Sequence, residues 1–151
     1  MDPRVAKLTT PEDCESFAKN ADERGFPLIA EEARKKAAQL RVQFRAEAYG
    51  AKTDVERDCL EAVYAYEEVL SAQRGKRQRA GRTWPMIKEY GILPAVERIV
   101  MKREESVGYT ALAEIGLKEF AFEAVILRHP ECFSPEAVAR SRERLTENTD
   151  G

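Results

Sequence analysis

Apolar residues recur along this chain at helical spacing. Cys14, Phe17, Ala18 and Ala21 fall at i, i+3, i+4 and i+7, the stripe of a helix with one buried face. In front of them Thr10-Pro11-Glu12-Asp13 supplies a hydroxyl N-cap, a proline at the first helical position and acids in the first turn. Gly25 closes that helix. After Phe26-Pro27, the residues Ile29, Ala33, Ala37, Leu40, Phe44 and Ala48 keep a helical period to Gly50, which predicts an antiparallel hairpin. A third helix opens near Thr53-Asp54 and ends around Gln73. Its apolar positions Val55, Cys59, Ala62, Tyr66 and Val69 are spaced 4, 3, 4 and 3 apart. Such a heptad-like seam suits a neighbouring helix, or a second copy of the chain in a homodimer through residues 54–73.

The second half is written in shorter helical words punctuated by Gly91, Gly108 and Gly116. Thr83 is the expected cap of a helix over Pro85 to Tyr90, and Gly91 turns the chain into another from Leu93 to Lys102. A polar link runs from Arg103 to Gly108. Tyr109 to Ile115 forms a short helix, and Leu117 to Arg128 a strongly apolar, central one stopped by Pro130. Ser134-Pro135-Glu136 repeats the cap, proline and acid start for a last helix through Ala137, Val138 and Leu145. No alternating strand pattern with hairpin turn chemistry occurs. The expected fold is therefore all-α: a three-helix segment at 1–73, a linker at 74–82, a helical lobe at 83–146 and an unstructured tail at 147–151.

Composition narrows the class. In 151 residues, 43% hydrophobic and 34% charged content describes a globular protein with a very polar surface. No apolar run approaches the ~20 residues a bilayer crossing needs. Met1-Asp2-Pro3-Arg4 lacks the pattern of a signal peptide, so the expected location is the cytoplasm, with no membrane partner. Cys14, Cys59 and Cys132 are odd in number and widely separated, and they include no Cys-x-x-Cys pair. Each reads as a small buried apolar residue.

Charge changes the picture more. Between Arg74 and Arg103 nine bases stand against two acids, Glu89 and Glu97, a net of +7 in a chain whose total is −2. The flanks are acidic: −4 over residues 1–73 and −5 over 104–151. The island opens as Arg74-Gly75-Lys76-Arg77-Gln78-Arg79-Ala80-Gly81-Arg82. Clustered cations repel one another, and a polyanion or an acidic surface relieves them. Thr83 to Arg103 adds the outline of a helix-turn-helix, with Arg98 and Lys102 four residues apart on the outer face of its second helix. Pro94 at the start of that helix, and Glu97 directed at phosphates, argue against it. The expected nucleic-acid-binding residues are Arg74, Lys76, Arg77, Arg79, Arg82, Lys88, Arg98, Lys102 and Arg103, with DNA the first choice of ligand. The alternative is a scaffold module whose basic loop docks an acidic protein.

Other chemistry-bearing residues have plainer readings. Trp84, the only tryptophan, can stack on a base, but a lone tryptophan at a helix start more often anchors a helix junction. His129 is the only histidine, which excludes multi-histidine metal sites. It sits where an imidazolium favours a helix C-terminus, although a dyad with Cys132 is conceivable. Glu61, Glu67 and Glu68 read as a solvated face. Neither a Gly-x-x-x-x-Gly-Lys-Ser/Thr loop nor Gly-x-Gly-x-x-Gly is present. No cofactor, metal or catalytic role is expected.

Four segments between Gly81 and Leu145 carry one resemblance: Arg82-Thr-Trp-Pro-Met-Ile-Lys88, Gly108-Tyr-Thr-Ala-Leu112, Phe122-Glu-Ala-Val125 and Phe133-Ser-Pro-Glu-Ala-Val-Ala-Arg-Ser141. This wording resembles a family of small uncharacterised bacterial proteins and covers somewhat under half the chain. It implies a helical unit and brings no activity with it.

Overall fold

Three helix starts are capped by the residues that the sequence marks for the task. Thr10 Oγ1 accepts the Asp13 N–H at 3.1 Å, Thr53 Oγ1 accepts Glu56 N–H at 3.1 Å, and Ser134 Oγ accepts Ala137 N–H at 3.1 Å. The computed structural model describes residues 1–102 and 109–150. Among them the chain is all-α: α1 (Pro3–Ala6), α2 (Pro11–Glu23), α3 (Pro27–Tyr49), α4 (Asp54–Arg74), α5 (Thr83–Tyr90), α6 (Ile92–Lys102), α7 (Tyr109–Glu114), α8 (Phe122–Arg128) and α9 (Pro135–Asp150). Single 3-10 turns at Lys118–Phe120 and Pro130–Cys132 flank α8, and no described residue is in a strand.

α2 and α3 form the expected hairpin. Its interface is made of Ala18, Ala21, Ala30 and Ala33, small side chains that let two helices approach closely. Val5 from α1, which the hydrophobic pattern does not announce, completes that cluster. Lys36 Nζ holds α1 in place by donating to the carbonyls of Val5 (2.9 Å) and Ala6 (2.7 Å). Further along α3 the buried positions are Val42 and Ala46, while Phe44 is 45% exposed and Ala48 is exposed. The expected stripe is wrong there. A run of alanines supports several registers of a helical face, and packing against α4 selects the one holding Val42.

α4 is the axis of the fold. Cys59, Ala62 and Val63 pack into a cluster with Ile87 of α5, Val96, Ile99 and Val100 of α6, Val125 and Ile126 of α8, and Ala137 of α9. Ala65 and Val69 face the other way, onto Ala38 and Val42 of α3, Leu112 of α7, and Leu117 and Phe120. The seam foreseen for a homodimer is thus occupied inside the chain: Cys59, Ala62 and Val69 are at most 4% exposed. α4 therefore packs with helices from both sides of the basic linker. α9 extends to Asp150, through most of the 147–151 segment expected to be unstructured, because no breaker intervenes after its Ser134 cap.

Two corners depend on glycine. At Gly91 a single residue separates α5 from α6, with φ +97° and ψ 167°, a region essentially closed to side chains. Gly116, at φ +79°, sits against α3 so closely that a Cβ would lie 2.7 Å from Lys35 Cβ. Its carbonyl accepts from Gln39 Nε2 at 2.8 Å.

Candidate nucleic-acid interface

The basic linker is fastened to α4 at two points. Ser71 Oγ accepts the Gln78 N–H at 2.9 Å, and Glu67 Oε2 accepts the Ala80 N–H at 2.8 Å. Ala80 is 2% exposed, with its methyl in the main core. The residues between and around these anchors face outward: Arg74, Lys76, Arg77, Arg79 and Arg82 are all exposed. None of them forms an ion pair with a carboxylate among the described residues. Carboxylates elsewhere are engaged. Arg41 bridges Glu15 (2.6 Å) and Glu68 (2.5 Å), and Lys35 reaches Glu31 at 3.5 Å.

Glu67 is central, and it is where the expectation of a solvated acidic face fails. The residue is 4% exposed, and its Oε2 also accepts the Trp84 indole N–H at 2.6 Å. Two donors on one oxygen make a buried carboxylate tolerable. Glu68 is half-buried against Arg41, and Glu61 is half-buried too, its pKa raised by burial and by Asp58 beside it. The periodicity holds a signal for Glu67: it lies four residues after Val63 and seven after Leu60, both fully buried.

Trp84 is a junction anchor. Half-buried at the start of α5, it packs against the main core and stacks with Tyr49 of α3, ring centroids 5.9 Å apart and planes 22° apart. Tyr64 of α4 lies tilted at 5.2 Å, and the Arg79 guanidinium stands 5.7 Å from the indole. Burial raises the Tyr64 pKa, and Glu67 nearby adds to the rise. Tyr49 itself is 48% exposed. Thr83 is the first residue of α5 rather than its cap. It is buried, and its N–H bonds the Ala80 carbonyl at 3.1 Å.

The remaining cations form a second group. Lys88 is exposed in the last turn of α5; Arg98 and Lys102 share the exposed face of α6 with Met101. Arg98 lies 3.8 Å over the Tyr90 ring, at the far end of α5 from Arg82. Eight residues of helix put about 12 Å between the two groups. Arg103 lies outside the described residues. Glu97 does not share that outer face: its Oε1 accepts the Ser134 N–H at 2.6 Å, so the carboxylate serves the start of α9. The α5–α6 corner also departs from a helix-turn-helix, whose turn takes three or four residues where this one takes a single glycine.

At the opposite end of α4, His129 Nε2 is 2.7 Å from Asp58 Oδ2, and Arg128 reaches the same oxygen at 3.7 Å. Cys132 Sγ is 4.0 Å from Glu131, not joined to the imidazole. No cluster of metal-binding side chains occurs among the described residues, and no described helix is long and apolar enough to cross a membrane. Compared with protein-family models, with curated proteins and with solved structures, the chain matches none.

Proposed function

We propose that this chain is a non-catalytic nucleic-acid-binding protein that grips phosphates with Arg74, Lys76, Arg77, Arg79 and Arg82. One observation carries the reading: these five cations are exposed, free of carboxylate partners among the described residues, and borne by a backbone tied down at Gln78 and Ala80. A loop already fastened loses less conformational entropy on meeting a polyanion than a free one. Lys88, Arg98 and Lys102 extend the contact along α5 and α6. The inward turn of Glu97 removes the carboxylate that would have opposed them.

Fluorescence anisotropy with labelled oligonucleotides tests this. The five loop contacts alone give a slope of log affinity against log salt of roughly −3.5 on single strands and −4.5 on duplex, and each contact by Lys88, Arg98 or Lys102 steepens it. Affinity should then fall on the order of a hundredfold between about 50 and 200 mM salt. Alanine at all five loop positions should abolish binding while the helical circular-dichroism spectrum is kept. Absence of binding to any oligonucleotide at low salt sinks the reading, and so does binding that ignores salt.

A further inference from the structure

We propose that the ligand is single-stranded and that the outward face of Tyr49 is the surface on which a base stacks, an inference that rests on the nucleic-acid reading and gives it a substrate class. Tyr49 is the last residue of α3, and its ring lies near-parallel to and offset from Trp84, centroids 5.9 Å apart. It is nevertheless 48% exposed, so about half of its surface is left for a ligand. Trp84 cannot take that role. Its indole N–H is held by Glu67, Tyr64 lies against it, and Arg79 stands over it. What Trp84 does is give the Tyr49 ring a stacking neighbour on the protein side, which lowers the side-chain freedom to be lost on binding.

Arg79 links the platform to the charges. Its guanidinium stands by the indole that backs Tyr49 and carries no carboxylate partner, leaving its donors for a phosphate. An exposed ring and an unpaired arginine of an anchored loop, both neighbours of Trp84, supply the two parts that grip single strands: the cations follow the backbone and the ring takes a base. A duplex offers phosphates, but its bases are already stacked on one another. The ring therefore contributes only when the strand is single.

The test compares an oligothymidylate of about 12 nucleotides, within the usual footprint of such sites, with a duplex of equal length at equal salt. The single strand should bind more tightly. Tyr49→Ala should weaken it about 5- to 100-fold without changing the salt slope, and Tyr49→Phe should restore it. In the unaltered chain, Trp84 is the only tryptophan, and its emission should shift as the oligothymidylate saturates the site. The platform is overturned if Tyr49→Ala binds like the parent, if the duplex is preferred, or if the emission stays constant at saturation. In those cases the nucleic-acid reading stands as long as the five-alanine variant still loses binding. If neither oligonucleotide binds, both fall.

Discussion

The Trp84 indole N–H and the Glu67 carboxylate meet at 2.6 Å, joining the start of α5 to the middle of α4. The same oxygen holds the Ala80 N–H, so one side chain sets both the path of the basic loop and the seat of the aromatic cluster. Glu67→Ala strands one buried and one half-buried donor and should destabilise the fold by about 3 kcal/mol, since hydrogen bonds to a charged acceptor are worth about 1.5–3 kcal/mol each and part of the loss is recovered by water. Glu67→Gln keeps an acceptor oxygen in place and should lose well under half as much. Urea unfolding of the three proteins gives the comparison. Equal losses for the two variants would show that the oxygen's hydrogen bonds are not what holds the loop.

Glu97 performs for α9 a task usually done from within the helix. In a capping box, an acid at the third helical position returns to the N–H of the cap residue. Here that position is Ala137, and the Ser134 N–H is taken instead by Glu97 from α6. Glu97→Ala should cost about 1–2 kcal/mol, the scale of a lost cap with a charged acceptor. Ala137→Glu supplies no rescue, because Ala137 is fully buried in the main core. Unfolding free energies of the single and double variants decide it: recovery of stability in the double variant would contradict this account.

What the sequence discloses is mostly what is local. The caps at Thr10, Thr53 and Ser134 act within three residues of themselves, and each helix begins where its cap predicts. The cations of the basic island are legible for the same reason, as composition. What is hidden depends on partners far along the chain. Glu67 goes inside because of donors 13 and 17 residues away, and Glu97 because of one 37 residues away. A carboxylate with a satisfied buried oxygen and one in water look alike in a string of letters. The register of α3 escapes too, since its alanines suit several faces and only α4 chooses among them.

Cys59 gives the fold an alkaline limit. It is fully buried, and burial, with a further push from Asp58, raises its pKa to about 12 from the ordinary 9.0. The folded chain keeps this proton where an unfolded thiol has already lost it. The associated stability is therefore complete below about pH 9 and is lost as pH climbs from there through about 12. At 1.36 kcal/mol per pH unit, about 2 kcal/mol should be gone by roughly pH 10.5. Cys59→Ala removes this component. Its unfolding free energy should fall less between pH 8 and about pH 10.5 than that of the parent, the tyrosines and lysines being common to both. In the parent, a thiol reagent should label exposed Cys132 and spare Cys14 and Cys59, as mass spectrometry of the native protein would record.

The two glycine corners separate two kinds of penalty. At Gly91 a Cβ would meet only Pro94 Cδ at 3.7 Å, an ordinary contact, so Gly91→Ala is opposed by backbone conformation alone. Residues forced into such regions cost about 1–3 kcal/mol, and that range is the expected loss. At Gly116 a positive φ is joined by a Cβ 2.7 Å from Lys35 Cβ and 2.9 Å from its Cγ. The obstacle is the stem of the side chain next to the α3 backbone, which cannot swing away as a lysine tip does. Gly116→Ala should therefore be the more damaging, by about 1–3 kcal/mol beyond Gly91→Ala, as expected for overpacking. Lys35→Gly relieves the contact without changing φ and should make the Gly116→Ala substitution cost less in its background. Thermal and urea unfolding of the set would expose an error: if the Gly116→Ala penalty is unchanged in the Lys35→Gly background, backbone conformation alone accounts for it.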